Sequence, residues 1–247
     1  MAAKTFRTKG IVLRTDRLGE ADRIITLLTI DQGIIRAVAK GVRRTSSRYG
    51  ARLELFSVID AQLLSGRNLD ILTQVEVLYP FAQLIARDYD LYTAGAIIVE
   101  TALQLFAEDD PDPSHYRLTL GALNALARRH HDPDLVLSAF LLRAMAQQGW
   151  APQLGVCGNC GTNLNLNFFS VPQGCSICDD CATIEAMDLP RPGSQIAAAL
   201  LRGDWDLAET AARQTQKEIA HLATTYAQWH LERKLKSVPV RQHGRTS

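Results

Sequence analysis

Two Cys-x-x-Cys pairs, Cys157/Cys160 and Cys178/Cys181, stand seventeen residues apart. Four thiolates at this spacing can close one tetrahedral site, and they point to a single structural Zn2+ per chain. The first pair lies in Val156-Cys157-Gly158-Asn159-Cys160-Gly161, where small and turn-forming residues let backbone amides approach the sulfurs. Cys175, three residues before Cys178, creates an overlapping pair and is either a spare thiol or a competing ligand. The other readings of the pairs are a disulfide or buried thiols without metal. A disulfide needs an oxidising compartment. The N-terminus, Met1 to Arg7, has no apolar run of the signal-peptide kind, and the most apolar stretch, Ala94 to Phe106, is interrupted by Glu100. A cytoplasmic location is therefore expected, and with it reduced thiols.

The 247 residues carry a formal net charge of only +1, but the charge is unevenly placed. Residues 1–52 contain twelve Lys/Arg and four acids, a net of +8. The remainder holds fifteen basic and twenty-two acidic side chains, a net of −7. A basic module of this kind attracts polyanions and displaces their counterions. The plainer alternative is a solvated surface that keeps the protein in solution.

The elements that carry these groups fall into two classes. Up to about residue 80, short β-branched runs alternate with turn signals. Strands are expected at Thr5–Arg14, Asp22–Thr29, Ile34–Lys40, Leu55–Leu64 and Asp70–Leu78, with turns at Asp31-Gln32-Gly33 and Ser65-Gly66-Arg67-Asn68. Five strands in this length suit a small closed barrel, which leaves no exposed sheet edge, and the oligonucleotide-binding (OB) barrel is the five-stranded candidate. Gly41 to Gly50 breaks the pattern as a basic loop with Arg43, Arg44, Arg48 and Tyr49. Arginines there can pair with phosphates and the tyrosine can stack on a base.

Beyond Pro80 the periodicity becomes helical. Helices are expected up to Phe106, from Ser114 to about Arg129, from Pro133 to Gln148, briefly after Pro192, and from Asp206 to Lys236, with a flexible tail beyond Pro239. Glu108 to Pro113 reads as an acidic, proline-stiffened loop rather than a metal site. The fold class is therefore α+β with two domains: an OB-fold nucleic-acid-binding domain at 1–80 and an all-α domain at 81–247. The four-cysteine zinc knuckle is an insertion in the second, at about 155–183.

No Walker-type loop, nucleophile elbow or His-Glu-x-x-His helix is present. Four thiolates would fill a zinc's coordination shell and leave no open position for catalysis. The chain reads as a binding protein with an architectural metal, not an enzyme. Two other readings stand beside it: a zinc-containing RNA-binding or ribosome-associated OB module, and a redox enzyme using its cysteine pairs.

Three blocks of sequence carry a resemblance to a known family. The first comprises Gly10-Ile11-Val12-Leu13-Arg14, Leu18 to Thr29, Gly33 to Arg44, and Leu53-Glu54-Leu55-Phe56. The second is Gly149-Trp150-Ala151-Pro152-Gln153-Leu154, leading into Cys157. The third is Phe169-Ser170 followed by a glycine turn and Cys178-Asp179-Asp180-Cys181. The ending, His230 to Ser237, also fits. In order and spacing these blocks resemble the RecO family of bacterial recombination mediators. The resemblance implies an OB barrel followed by a helical domain with a zinc knuckle. It also implies binding to single- and double-stranded DNA, annealing of complementary strands, and partnership with RecR (and RecF). Contact with the C-terminal tail of single-stranded-DNA-binding protein, help in loading RecA, and a place in the bacterial cytoplasm at the nucleoid complete what it implies. Relatives often carry Gly-Gly where this chain has Gly174-Cys175; Cys178 and Cys181 are the cysteines that match the family positions. The DNA-binding residues expected on the barrel and its loop are Arg14, Arg17, Arg23, Arg36, Lys40, Arg43, Arg44, Arg48 and Tyr49.

Overall fold

A computed structural model describes residues 4–44, 47, 52–106, 111–189 and 191–243. The chain forms two compact units, residues 1–128 and 129–247.

The first unit is built on a five-stranded closed barrel. Its strands are β1 (Thr5–Leu18), β2 (Asp22–Thr29), β3 (Ile34–Ala39), β4 (Val58–Leu64) and β5 (Asp70–Tyr79), joined in the order β1-β2-β3-β5-β4. The alternation read from the sequence places Val12, Ile25, Leu27, Ala37, Ile59, Ala61, Leu63 and Val75 inside. Closure comes from a short parallel contact, Ala37 opposite Asp70 and Val38 opposite Ile71. This is an OB-like barrel, as the strand count indicates.

The fourth strand starts at Val58, three residues later than its hydrophobic pattern suggests. Phe56 adopts a positive φ of 74°, a conformation unfavourable to a side chain of this size, and turns the chain. Its ring is 1 % exposed and meets the edge of Tyr92 at 5.6 Å, and burial offsets the strain. Gly95 makes room for it, since a Cβ there would stand 3.3 Å from the Phe56 ring. Helices α1 (Phe81–Ile85), α2 (Tyr89–Leu105) and α3 (Pro113–Arg128) complete the unit, α2 and α3 packing on each other and on the barrel. Strand gives way to helix at residue 80, while the compact unit runs on to residue 128.

The second unit is centred on α4 (Pro133–Gln147), capped by Asp132, whose carboxylate accepts from the Asp134 amide. Helices α5 (Gly193–Arg202) and α7 (Arg213–His230) cover it, and α6 (Trp205–Ala208) lies between them in sequence. Asp134, fully buried, receives the Arg241 guanidinium at 2.8 Å. That pairing orders α8 (Ser237–His243), so the segment expected to be a flexible tail is helical through residue 243. The single long final helix expected from the apolar stripe is interrupted after Ala208. The Thr210 hydroxyl donates to the Leu207 carbonyl at 2.7 Å there, and α7 restarts at Arg213. Between α4 and α5 stands a small sheet, order β7-β6-β8, from β6 (Phe168–Ser170), β7 (Cys175–Ile177) and β8 (Met187–Asp188). It adds β structure to a unit expected to be all helix. No helix among the described residues is long and apolar enough to cross a membrane.

Candidate metal centre and nucleic-acid interface

Two loops bring the four expected cysteines together. In the first, the Cys157 amide donates to the Thr162 carbonyl at 2.7 Å and the Gly161 amide to the Cys157 carbonyl at 2.9 Å, folding Cys157 and Cys160 into one tight turn. In the second, Cys178 opens a 3-10 turn over Asp179–Cys181, closed by the Cys181 amide on the Cys178 carbonyl at 3.1 Å. The loops are joined where the Gly158 amide meets the Ser176 carbonyl at 2.9 Å and the Asp179 amide meets the Asn165 carbonyl at 3.1 Å.

The four sulfurs all lie within 4.8 Å of one another, with Cys160 and Cys178 at 3.6 Å. A tetrahedral zinc with Zn–S bonds near 2.3 Å sets its sulfurs about 3.8 Å apart, so the residues fit that group with side-chain shifts of about 1 Å or less. Cys175 stands outside the cluster. Its sulfur packs on Gly158, where a Cβ would approach it to 2.2 Å, and donates to Gln173 Oε1 at 3.6 Å. Only glycine fits at 158 while Cys175 keeps its place. The apolar support is small: Cys157, Leu166, Cys175, Ile177 and Cys178 form the buried cluster, edged by Phe168, Cys181 and Ala182.

The electrostatics suit a cation. Burial pushes the Cys157 thiol up, but hydrogen bonds from the backbone amides of Cys178, Cys160 and Asn159 outweigh it and hold its pKa at about 6. Cys181 is pushed up to about 12, first by its hydrogen bond with the Cys178 side chain and then by that with Cys160. Burial raises Cys178 and Cys175. Clustered thiolates repel one another, and a dication would compensate that repulsion.

The expected DNA-binding side chains divide by position. Arg14 and Arg36 face Thr26 from either side, a row across β1, β2 and β3, and both are exposed. Arg14 also donates to Asp16 Oδ1 at 2.8 Å and is partly neutralised. Arg17 and Arg23 stand directly opposite each other where β1 and β2 end. No carboxylate among the described residues pairs with either guanidinium. Lys40, Arg43 and Arg44 are exposed just beyond β3. The Arg43 amide donates to the Ala21 carbonyl at 2.9 Å and its guanidinium to the Glu20 carbonyl at 3.0 Å, which ties this loop to the β1–β2 hairpin. Asp22 is engaged by the Gly41 amide at 2.7 Å and so is taken up locally. Arg48 and Tyr49 lie outside the described residues. Arg7, not singled out in the sequence, is balanced by Asp60 at 2.6 Å and Glu76 at 3.7 Å. The opposition of Arg17 and Arg23 was missed as well, although placing the turn at Gly19 to Ala21 is enough to derive it.

Residues 1–81 match the family model described as Recombination protein O N terminal, and residues 86–239 match Recombination protein O C terminal. The chain therefore belongs to the Recombination protein O family, RecO, whose members are non-catalytic mediators of DNA recombination and repair.

Proposed function

We propose that this RecO family member binds single- and double-stranded DNA on its barrel and anneals complementary strands. Together with RecR (and RecF), it helps load RecA onto DNA coated by single-stranded-DNA-binding protein, whose C-terminal tail it contacts, in the bacterial cytoplasm at the nucleoid. The observation that carries the reading is the cationic end of the β1–β2 hairpin. Two arginines opposed in register repel each other. With no described carboxylate between them, an external phosphate is the counterion that relieves the repulsion. Arg36, Lys40, Arg43 and Arg44 extend the same charge along β3 and its loop, and Arg14, Arg48 and Tyr49 belong to the same proposed surface. Arginines that bind phosphate rather than base edges give little sequence preference. Neutralising two strands while leaving their bases free is what annealing requires.

The four cysteines Cys157, Cys160, Cys178 and Cys181 would hold a structural Zn2+, one per chain. The ion supplies a crosslink to a module whose own core is small, and the chain's residues supply the preorganised sulfurs and the amides that face Cys157. The test of the DNA reading is an annealing assay with complementary strands coated by single-stranded-DNA-binding protein, run across a salt series. Acceleration that fades with salt supports it. Annealing no faster than without the protein at every salt concentration refutes it.

A further inference from the structure

We infer that the four-cysteine module is an anionic docking face and that its occupant is the cationic barrel of a second copy of this chain. From residue 155 to 190 there is no Lys, Arg or His, whereas Asp179, Asp180, Glu185 and Asp188 are all present and exposed. Such a surface repels phosphates and is unsuited to the nucleic-acid contact that zinc knuckles make elsewhere.

The module also presents apolar tips. Ile184, on a turn closed by the Ala186 amide on the Thr183 carbonyl at 3.0 Å, is 103 % exposed, and Leu164 is 63 % exposed. These are the two most exposed large hydrophobic side chains among the described residues. Either alone is ordinary. Together, on one short module without cations, they give apolar contacts bordered by acids, the make-up of a transient protein interface.

The occupant follows from charge. The complementary surface described in this molecule is the barrel end with Arg17, Arg23, Lys40, Arg43 and Arg44, and exposed Leu18 adjoins Arg17 there. Docking of one chain's module on another's barrel is a head-to-tail contact. It rests on the cationic face proposed above as the DNA site, so DNA and the second copy compete for it. Free protein would then hold its DNA face covered, and a strand would release it.

Sedimentation velocity of the metal-loaded full chain tests this, at low and high salt, with and without an oligothymidylate. The expected result is a sedimentation coefficient that rises with protein concentration at low salt and returns to the monomer value at high salt or with saturating oligonucleotide. The variant D180K/I184S/E185K should stay monomeric and bind the oligonucleotide at least as tightly as the parent, because no second copy competes for the barrel. R17E/R23E should also stay monomeric alone, yet pair with D180K/I184S/E185K when the two are mixed, because its intact acidic module meets the intact cationic barrel of the triple variant. If the triple variant loses its metal, L164S/I184S replaces it and should weaken self-association. A parent that remains monomeric at every concentration in low salt overturns the inference, as does association that persists while the oligonucleotide is bound. Oligonucleotide titration on the same samples reads the DNA proposal separately: self-association without oligonucleotide binding would refute that proposal and not the docking.

Discussion

Replacing Arg17 and Arg23 by glutamine tests the DNA site through two effects of opposite sign. In the free protein the two guanidinium groups face each other across β1 and β2. Like charges directly opposite in an antiparallel pair destabilise by roughly 0.2–1 kcal/mol, so the double variant should melt at a slightly higher temperature than the parent. On DNA the same change removes two phosphate contacts. For a single strand each contact adds about 0.7 to the slope of log affinity against log salt, so the slope should fall by about 1.4. Between 50 and 200 mM salt this narrows the parent's advantage over the variant by about sevenfold. Fluorescence anisotropy with a labelled oligothymidylate across that range measures the slope, and a thermal melt without DNA measures the stability. A pair that served only the fold would give a lower melting temperature with an unchanged slope. That result would remove Arg17 and Arg23 from the interface, whatever other cations contribute.

Cys157→Ser and Cys181→Ser should each lower bound zinc below one per chain by elemental analysis and loosen the second unit, whereas Cys175→Ser, outside the sulfur cluster, should retain the metal; loss of zinc from the last variant would reassign the ligand. Arg241→Ala should cost about 3 kcal/mol in chemical denaturation because it removes the guanidinium 2.8 Å from the fully buried Asp134 carboxylate, and Asp134→Asn combined with Arg241→Met should recover much of the loss. Burial holds the His230 pKa below its ordinary value, its ring stacking on Trp150 and meeting Tyr226 edge-on with Nε2 unpartnered among the described residues. The unfolded chain therefore takes up this proton first as pH falls. The stability His230 contributes is complete above about 6.5 and declines from there down through its lowered folded pKa. His230→Phe should flatten that part of the stability profile in melts run from neutral to mildly acid pH.

Much of the barrel was legible because a half-buried strand writes its faces into alternate residues. β2 begins and ends where the sequence places it, at Asp22 and Thr29. Leu55 to Ser57 misled because Phe56 and Ser57 are buried by a turn rather than a strand, and Phe56 takes its left-handed backbone for the sake of a ring held by Tyr92. Periodicity cannot distinguish those two ways of burying a side chain. β6 to β8 span only three, three and two residues, too few for any period to register. The α8 segment was unreadable for another reason: its order depends on Arg241 reaching Asp134, 107 positions earlier. The metal cluster was the most legible feature, since Cys-x-x-Cys spacing fixes each half locally. What spacing could not separate was Cys175 from Cys178, and the close approach of the Cys175 sulfur to Gly158 does so.

The division of charge bears on how metal and DNA affect each other. The cations assigned to DNA lie in residues 1–52, while the sulfur cluster and its acids lie in a segment without a single basic side chain. Metal loading therefore adds no cation to the residues assigned to DNA. Zinc removal should unravel the loops around Cys157 and Cys181, where little apolar burial takes over from the crosslink. The barrel has its own buried core of Val12, Ile25, Leu27, Ile59 and Leu63 and requires no such crosslink. Chelation should then leave the salt slope of oligonucleotide binding unchanged even as the second unit loosens. A slope that falls on chelation would place phosphate contacts on the metal module, and the assignment of the DNA site to the barrel alone would fail.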